Sequence, residues 1–190
     1  MSYNFLLSKN LYTTKKDLVN RFPYQNPTEL PRIIKLRLNF NCRTNEAKKL
    51  AAASLALELL TGVKPEVMKS HSDHTALNLR KGDVNGVQIT LKKRMLEGFL
   101  TYLILEASPV LNGIRPPGRY GGRKGSYDNK KSRSMTISIT LADIIKLEEI
   151  EQNFQIFEHL PRLNISLIFD KPCTPNEQIF VTAPLFHGHG

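Results

Sequence analysis

In residues 87–92, Val-Gln-Ile-Thr-Leu-Lys, apolar side chains hold the odd positions and polar ones the even positions. A strand of that pattern turns Val87, Ile89 and Leu91 toward a core and leaves Gln88, Thr90 and Lys92 on a wet face. Beyond it, Met95, Leu96, Phe99, Leu100 and Leu103 recur at the three-to-four-residue spacing of an amphipathic helix, which runs to about Glu106, ahead of Pro109. Lys92, Lys93 and Arg94 stand where the period changes, so the pattern places three cations at a strand-to-helix junction. The alternation recurs in PRIIKLRLNF, residues 31–40. There Ile34, Leu36, Leu38 and Phe40 face one way, and Ile33, Lys35, Arg37 and Asn39 the other. This predicts a second strand with a basic, polar face.

Residues 44–62, TNEAKKLAAASLALELLTG, are dense in helix formers, carry an apolar stripe through Leu50, Ser54, Leu57 and Leu60, and stop at Gly62 with Pro65 beyond. A shorter helix is expected over 13–22, capped by Thr13 or Thr14 and ended before Pro23. Residues 74–80, HTALNLR, alternate as a strand, and Lys81-Gly82-Asp83 joins them to the strand at 87–92 as a hairpin with a polar tip. In SMTISIT, residues 134–140, Met135, Ile137 and Ile139 point inward, and LNISLIF, residues 163–169, gives a further strand. Between them, residues 141–160 hold five acidic residues to one Lys. No internal repeat is present. The elements predict an α+β sandwich with an antiparallel-rich sheet, helices covering one face and leaving the other open. Residues 1–30 supply an N-terminal helix and lead-in, 31–170 a single domain, and 171–190 a tail.

Charge sharpens this picture. The 190 residues, long enough for one core, include 27 Lys and Arg against 17 Asp and Glu, a net charge of +10. With 41% apolar content the chain folds, and a folded basic chain seeks polyanions. No apolar run reaches the roughly 20 residues of a spanning helix, and no long one-faced basic helix suits a lipid surface. Nucleic acid is therefore favoured over membrane. Residues 113–133 hold seven Lys or Arg (Arg115, Arg119, Arg123, Lys124, Lys130, Lys131 and Arg133) against Asp128 alone, with five glycines and two prolines. Such a loop, at a local charge of +6, is not expected to fold alone. Cys42 and Cys173, far apart and without metal-ligand spacing, fit ordinary thiols in a reducing compartment. The N-terminus lacks the features of a secretory signal or an Arg-rich transit peptide, so a protein of an organelle would be made there or already processed.

Catalytic chemistry is not assembled. GRYGGRKGSY has the wrong order for a phosphate loop. His71-Ser72-Asp73-His74 lacks a third strong metal ligand, Glu148-Glu149 are adjacent carboxylates on an amphipathic segment, and His187 and His189 sit in the terminal tail. No nucleophile, base and orienter come together, so the expectation is a non-enzyme without cofactor or metal. The wet strand faces, with Lys35, Arg37, Asn39, Gln88, Thr90 and Lys92, suit cations for phosphates and short polar groups for ribose and base edges. The strands show no obvious aromatics for base stacking.

Several stretches resemble the universal large-subunit ribosomal protein five family, which sits in the central protuberance and binds 5S ribosomal RNA. PRIIKLRLNF resembles the family's first strand with its Asn, LLTGVKP its helix end, and LNLRKGDVNGVQITLKKRMLEGFLTYLI its longest motif. SMTISITLADIIKLEEI and LPRLNISLIF follow in order, and FQIFEHLPRLNISLIF is similar to mitochondrial members. The resemblance implies a structural constituent of the mitochondrial large ribosomal subunit, in the mitochondrial matrix, with no catalysis. It implies rRNA contacts by Asn39 and Thr90, and by Lys64 in the turn after the helix; Lys35, Arg37, Gln88, Lys92, Lys93 and Arg94, read from charge and alternation, complete the candidate rRNA-binding set. Its hairpin from Lys69 to Lys81, with Ser70, His71, His74 and Arg80, faces P-site tRNA, and its loop near 110–133 faces the small-subunit head. Two departures stand out: Val63 replaces an RNA-contacting Gln, and Phe40-Asn41-Cys42 replaces a Gly-rich turn. The RNA partner is accordingly 5S RNA if present, otherwise large-subunit rRNA, beside neighbouring large-subunit proteins. An RNA-modifying or RNA-processing enzyme with a basic face is the main alternative, and a peripheral membrane protein the third.

Overall fold

The structure, a computed structural model, describes residues 14–42, 47–73, 80–103, 132–139, 144 and 147–186. In chain order come a helix α1 over residues 14–21, a 3-10 turn Pro27–Glu29, and β1 Ile33–Asn41. Then come α2 Ala47–Thr61, β2 Glu66–Lys69, β3 Val84–Lys92, α3 Lys93–Tyr102 and β4 Ser132–Ile139. Two short helices, α4 Glu148–Glu151 and α5 Phe154–Phe157, lead to β5 Leu163–Cys173 and α6 Pro175–Phe186. The strands form one antiparallel open sheet in the order β2-β3-β1-β5-β4, so the expected α+β architecture is the one observed.

The chain divides into two compact units, one of residues 1–36, 91–137 and 166–190, the other of residues 37–90 and 138–165. In the second unit, Leu38 and Phe40 of β1, Val87 and Ile89 of β3, and Leu163 and Ile165 of β5 are buried. So are Ala53, Ala56, Leu57 and Leu60 of α2, Ile150 of α4 and Phe157 of α5. The sequence stripe of Leu50, Ser54, Leu57 and Leu60 is half right. Leu50 and Ser54 are half-buried, while Ala53 and Ala56 lie fully inside and Leu55 and Leu59 stay exposed. Helix α2 is apolar almost all round, so periodicity could not choose its inner side, whereas the two small alanines let it approach its neighbours closely. Helix α2 ends as expected: Gly62, at φ +66, donates its N–H to the Glu58 carbonyl at 2.7 Å.

In the first unit, Leu36, Leu91, Leu167 and Phe169 are buried on their strands, joined by Leu18 of α1, by Leu96, Phe99 and Leu100 of α3 and by Leu103 just beyond it. Two apolar residues assigned inward lie outside. Ile34 is 43% exposed because it falls at the open end of β1, before the inward set begins at Leu36. Met95 is 59% exposed: α3 begins at Lys93, and the set Leu96, Phe99, Leu100, Leu103 completes the inner stripe without it.

The strand expected over 74–80 lies outside the described residues except for Arg80, which is not in a strand. The observed antiparallel partner of β3 is β2, with Glu66 opposite Gln88, Val67 opposite Val87 and Met68 opposite Gly86, then a register shift before Lys69. The inward placement of Met135, Ile137 and Ile139 on β4 likewise lies outside the described side chains.

The segment from 171, expected as a tail, is regular structure as far as Phe186. Its signal was Thr174-Pro175-Asn176-Glu177. Thr174 N–H donates to Glu177 Oε2 at 2.7 Å and Glu177 N–H to Thr174 Oγ1 at 3.4 Å, a reciprocal cap with Pro175 at the first helical position. Around α6, Phe180 meets Phe22 edge-on at 6.3 Å, and the Arg21 guanidinium lies 4.8 Å from the Phe180 ring centre. Tyr24 Oη donates to Glu177 Oε1 at 2.8 Å, and Lys171 Nζ to the Thr28 carbonyl.

This corner has a pH signature. Burial pushes the Cys173 thiol up from 9.0 to about 11, aided by the Glu177 and Asp170 carboxylates. Burial also pushes the Tyr24 phenol well above its ordinary range, aided by its bond to Glu177. Both folded-state values are raised, so between pH 9 and 11 the unfolded chain has released protons that the native chain still holds. Stability is therefore full below pH 9 and declines as pH rises through that window. Urea midpoints taken across it are expected to fall, and more shallowly in Cys173→Ser; a flat profile in the wild type would contradict the burial of the thiol.

Candidate nucleic-acid interface

The site is built by alternation. Burying Leu38, Phe40, Val87 and Ile89 forces the residues between them to the opposite side of their strands. In the second unit this puts Arg37 and Asn39 on β1, and Gln88 and Thr90 on the adjacent β3, away from the core. Arg37 and Thr90 are exposed, while Asn39 and Gln88 are half-buried. Asn39 Nδ2 donates to Asn41 Oδ1 at 3.0 Å, two residues along the same side, which fixes its amide and leaves its carbonyl oxygen to accept.

The first unit carries the remaining cations of these strands. Lys35 is half-buried on β1, and Lys92, Lys93 and Arg94 are exposed where β3 becomes α3. Lys93 sits at φ +51, a left-handed conformation costing about 1–2 kcal/mol for a residue with a Cβ. That corner turns strand into helix within one residue and holds three consecutive cations in solvent, as the change of period predicted.

Strand β5 adds residues that the patterns of β1 and β3 alone do not supply. It neighbours β1 on the side away from β3, and between its buried residues stand Asn164, Ser166, Ile168 and Asp170, all half-buried. The alternation in Leu-Asn-Ile-Ser-Leu was the available signal. Asp170 is committed to the fold, accepting the Arg32 N–H at 3.0 Å.

Other candidate residues lie elsewhere. Lys64 is exposed beyond Gly62, and Val63, where the family resemblance has Gln, is half-buried with its N–H bonded to Thr61 Oγ1 at 3.3 Å. Lys69, His71, Arg80 and Lys81 are exposed around the base of a loop. Ser70 is only 6% exposed: its N–H donates to the Asp83 carbonyl at 2.8 Å and its carbonyl accepts from Gly82 N–H at 2.9 Å. It ties that base together, as does the Lys81 N–H bonded to Asp73 Oδ1 at 2.7 Å. His74 and the basic residues from Arg115 to Lys131 lie outside the described residues, and Arg133 is exposed on β4. Among the described residues no group of three or more His, Cys, Asp or Glu could hold a metal ion, and no helix is long and apolar enough to cross a membrane.

Such an arrangement defines a class: an α+β protein in which strands β1, β3 and β5 bury one set of alternating side chains and leave cations and short polar side chains out of the core. Comparison with known proteins makes this specific. Over 133 residues the chain is 32% identical to large ribosomal subunit protein uL5 of Thermus thermophilus, covering 67% of this chain and 72% of that protein. Large ribosomal subunit protein uL5 of Thermus aquaticus gives the same figures. Over 154 residues it is 27% identical to large ribosomal subunit protein uL5m of Reclinomonas americana, covering 80% of each. No family model matches the chain. The chain belongs to the uL5 family of large ribosomal subunit proteins, as a mitochondrial-type member.

Proposed function

We propose that this protein is a structural, non-catalytic constituent of the mitochondrial large ribosomal subunit that binds ribosomal RNA on the uncovered side of β1, β3 and β5. The carrying observation is that in the second unit Arg37, Asn39, Asn41, Gln88, Thr90 and Asn164 all stay out of the core, although Leu38, Phe40, Val87, Ile89 and Leu163 beside them are buried. Cations there offer phosphate contacts, and Asn39, Gln88 and Thr90 offer hydrogen bonds to ribose and base edges. The RNA is 5S where the ribosome has it, otherwise a large-subunit segment. The central protuberance is the proposed location, with the exposed Lys69, His71, Arg80 and Lys81 toward P-site tRNA and the basic loop 113–133 toward the small-subunit head. The mitochondrial matrix is the compartment that follows.

Short polar side chains contribute contact geometry and little long-range attraction. Asn39→Ala with Thr90→Ala is therefore expected to weaken binding to the cognate rRNA fragment about tenfold or more while leaving the salt dependence nearly unchanged. Filter binding over a salt series measures both. Unaltered affinity for every large-subunit and 5S fragment would move the RNA off these strands, and failure of the tagged protein to co-sediment with large subunits would reject the ribosomal reading itself.

A further inference from the structure

From the unused side of the second unit we infer a protein-docking surface, made by α2, α4 and α5, whose occupant is a basic amphipathic segment of another protein. Helix α2 packs against both short helices. Each side of that contact leaves large apolar side chains in water: Leu55 at 40% and Leu59 at 43% on α2, Phe154 at 44% and Ile156 at 53% on α5. Leu55 and Leu59 are one turn apart, so they share a helix face distinct from the buried face of Ala53, Ala56, Leu57 and Leu60. Four large apolar residues on helices in contact exceed the scattered exposure ordinary for a surface.

Charge chooses the occupant. Residues 147–160 carry three exposed carboxylates, Glu148, Glu151 and Glu158, beside the half-buried Glu149, and no Lys or Arg, and the lysines of α2, Lys48 and Lys49, lie at its start, away from Leu55 and Leu59 along the helix. Glu58 is exposed on α2 between Leu55 and Leu59. A polyphosphate is repelled by such a rim, whereas a segment with Lys or Arg beside apolar anchors finds both counter-charges and apolar contact. Within the second unit the strands and the helices then divide the work: polyanion on the strands, cationic protein on the helices.

The surface is tested on the intact, full-length chain with a fluorescent amphipathic helix of Leu and Lys as probe and its Leu and Glu counterpart as control. The Lys probe is expected to bind in a salt-dependent way and the Glu probe not. Leu55→Ser with Ile156→Ser, both sites already solvent-exposed, is expected to weaken the Lys probe at least tenfold with an unchanged melting temperature, and Arg37→Ala to leave it alone. Equal binding of both probes, or binding indifferent to the Ser pair, overturns the surface. In cells, a photo-crosslinking residue at Ile156 is expected to capture a different protein through a peptide rich in Lys or Arg around apolar residues. Adducts to RNA or to a second copy of this chain, or no adduct, overturn it. The probe assay uses the isolated chain, so its outcome is separate from whether RNA occupies the sheet.

Discussion

Replacing Gly86 by Ala is expected to lower stability by about 3 kcal/mol or more, one of the largest effects of any single methyl group in the second unit. A Cβ on Gly86 would lie 2.2 Å from the Phe40 carbonyl oxygen, 3.0 Å from Met68 Cε and 3.2 Å from Asn41 Cα. The Met68 end can swing away. The Phe40 carbonyl cannot, because it belongs to the backbone of β1, and the Phe40 side chain is fully buried. Accommodation therefore requires β1 and β3 to part where β3 also changes register against β2. Because Arg37, Asn39, Gln88 and Thr90 lie on these two strands, RNA binding is expected to fall with the fold. Gly98→Ala is the control: Gly98 sits in α3 with open space about its Cβ position and is expected to gain about 0.5–1 kcal/mol. Urea midpoints of the two variants, one down and one up, measure the contrast; a Gly86→Ala midpoint at the wild-type value would mean that the two backbones are not in contact.

The same glycine shows where sequence pattern stops. Asn85-Gly86 is a strong turn dipeptide standing between the expected Lys81-Gly82-Asp83 joint and the alternation that begins at Val87. In the structure the turn is at Lys81 and Gly82, and Asn85 and Gly86 are inside β3. The glycine is there for closeness to β1, which is a tertiary fact and leaves no local trace. Alternation, by contrast, is dictated by backbone geometry alone, which is why the inward and outward residues of β1 and β3 were legible almost throughout and Ile34, at the strand's open end, was not. Helix α2 was legible in extent and poorly in orientation, since nearly every side of it is apolar. The cap of α6 was fully written in Thr174-Pro175-Asn176-Glu177, but weak amphipathicity after it gives no stripe to confirm a helix. The candidate site was half legible: pattern supplies β1 and β3, while the place of β5 beside β1 is a matter of sheet order, which no single-strand pattern contains.

Removing the cations of the two strands, Lys35→Ala, Arg37→Ala and Lys92→Ala together, is expected to weaken RNA binding by two to three orders of magnitude at low salt and to reduce the slope of log affinity against log salt. Each phosphate contact releases condensed counterions, so each lost contact lowers the slope by up to about 0.7–0.9, and three by about 2. Stability is expected to change little. Arg37 and Lys92 are exposed and Lys35 is half-buried, and isolated exposed charges contribute about 0–1 kcal/mol to folding. The slope is what separates this face from a general basic surface. With 27 Lys and Arg in the chain, nonspecific attraction survives the loss of three, and an RNA held elsewhere would lose a little affinity at every salt with the slope nearly intact. Paired with Asn39→Ala and Thr90→Ala, whose expected signature is lost affinity at constant slope, the triple variant tests whether phosphate contacts and short polar contacts come from the same strands. If the triple variant alone shifts the slope and the pair alone leaves it fixed, the RNA backbone and the RNA edges are both read on β1 and β3. If the triple variant keeps the wild-type slope, the phosphates are held by other cations, and the uncovered strand faces are not the principal RNA contact.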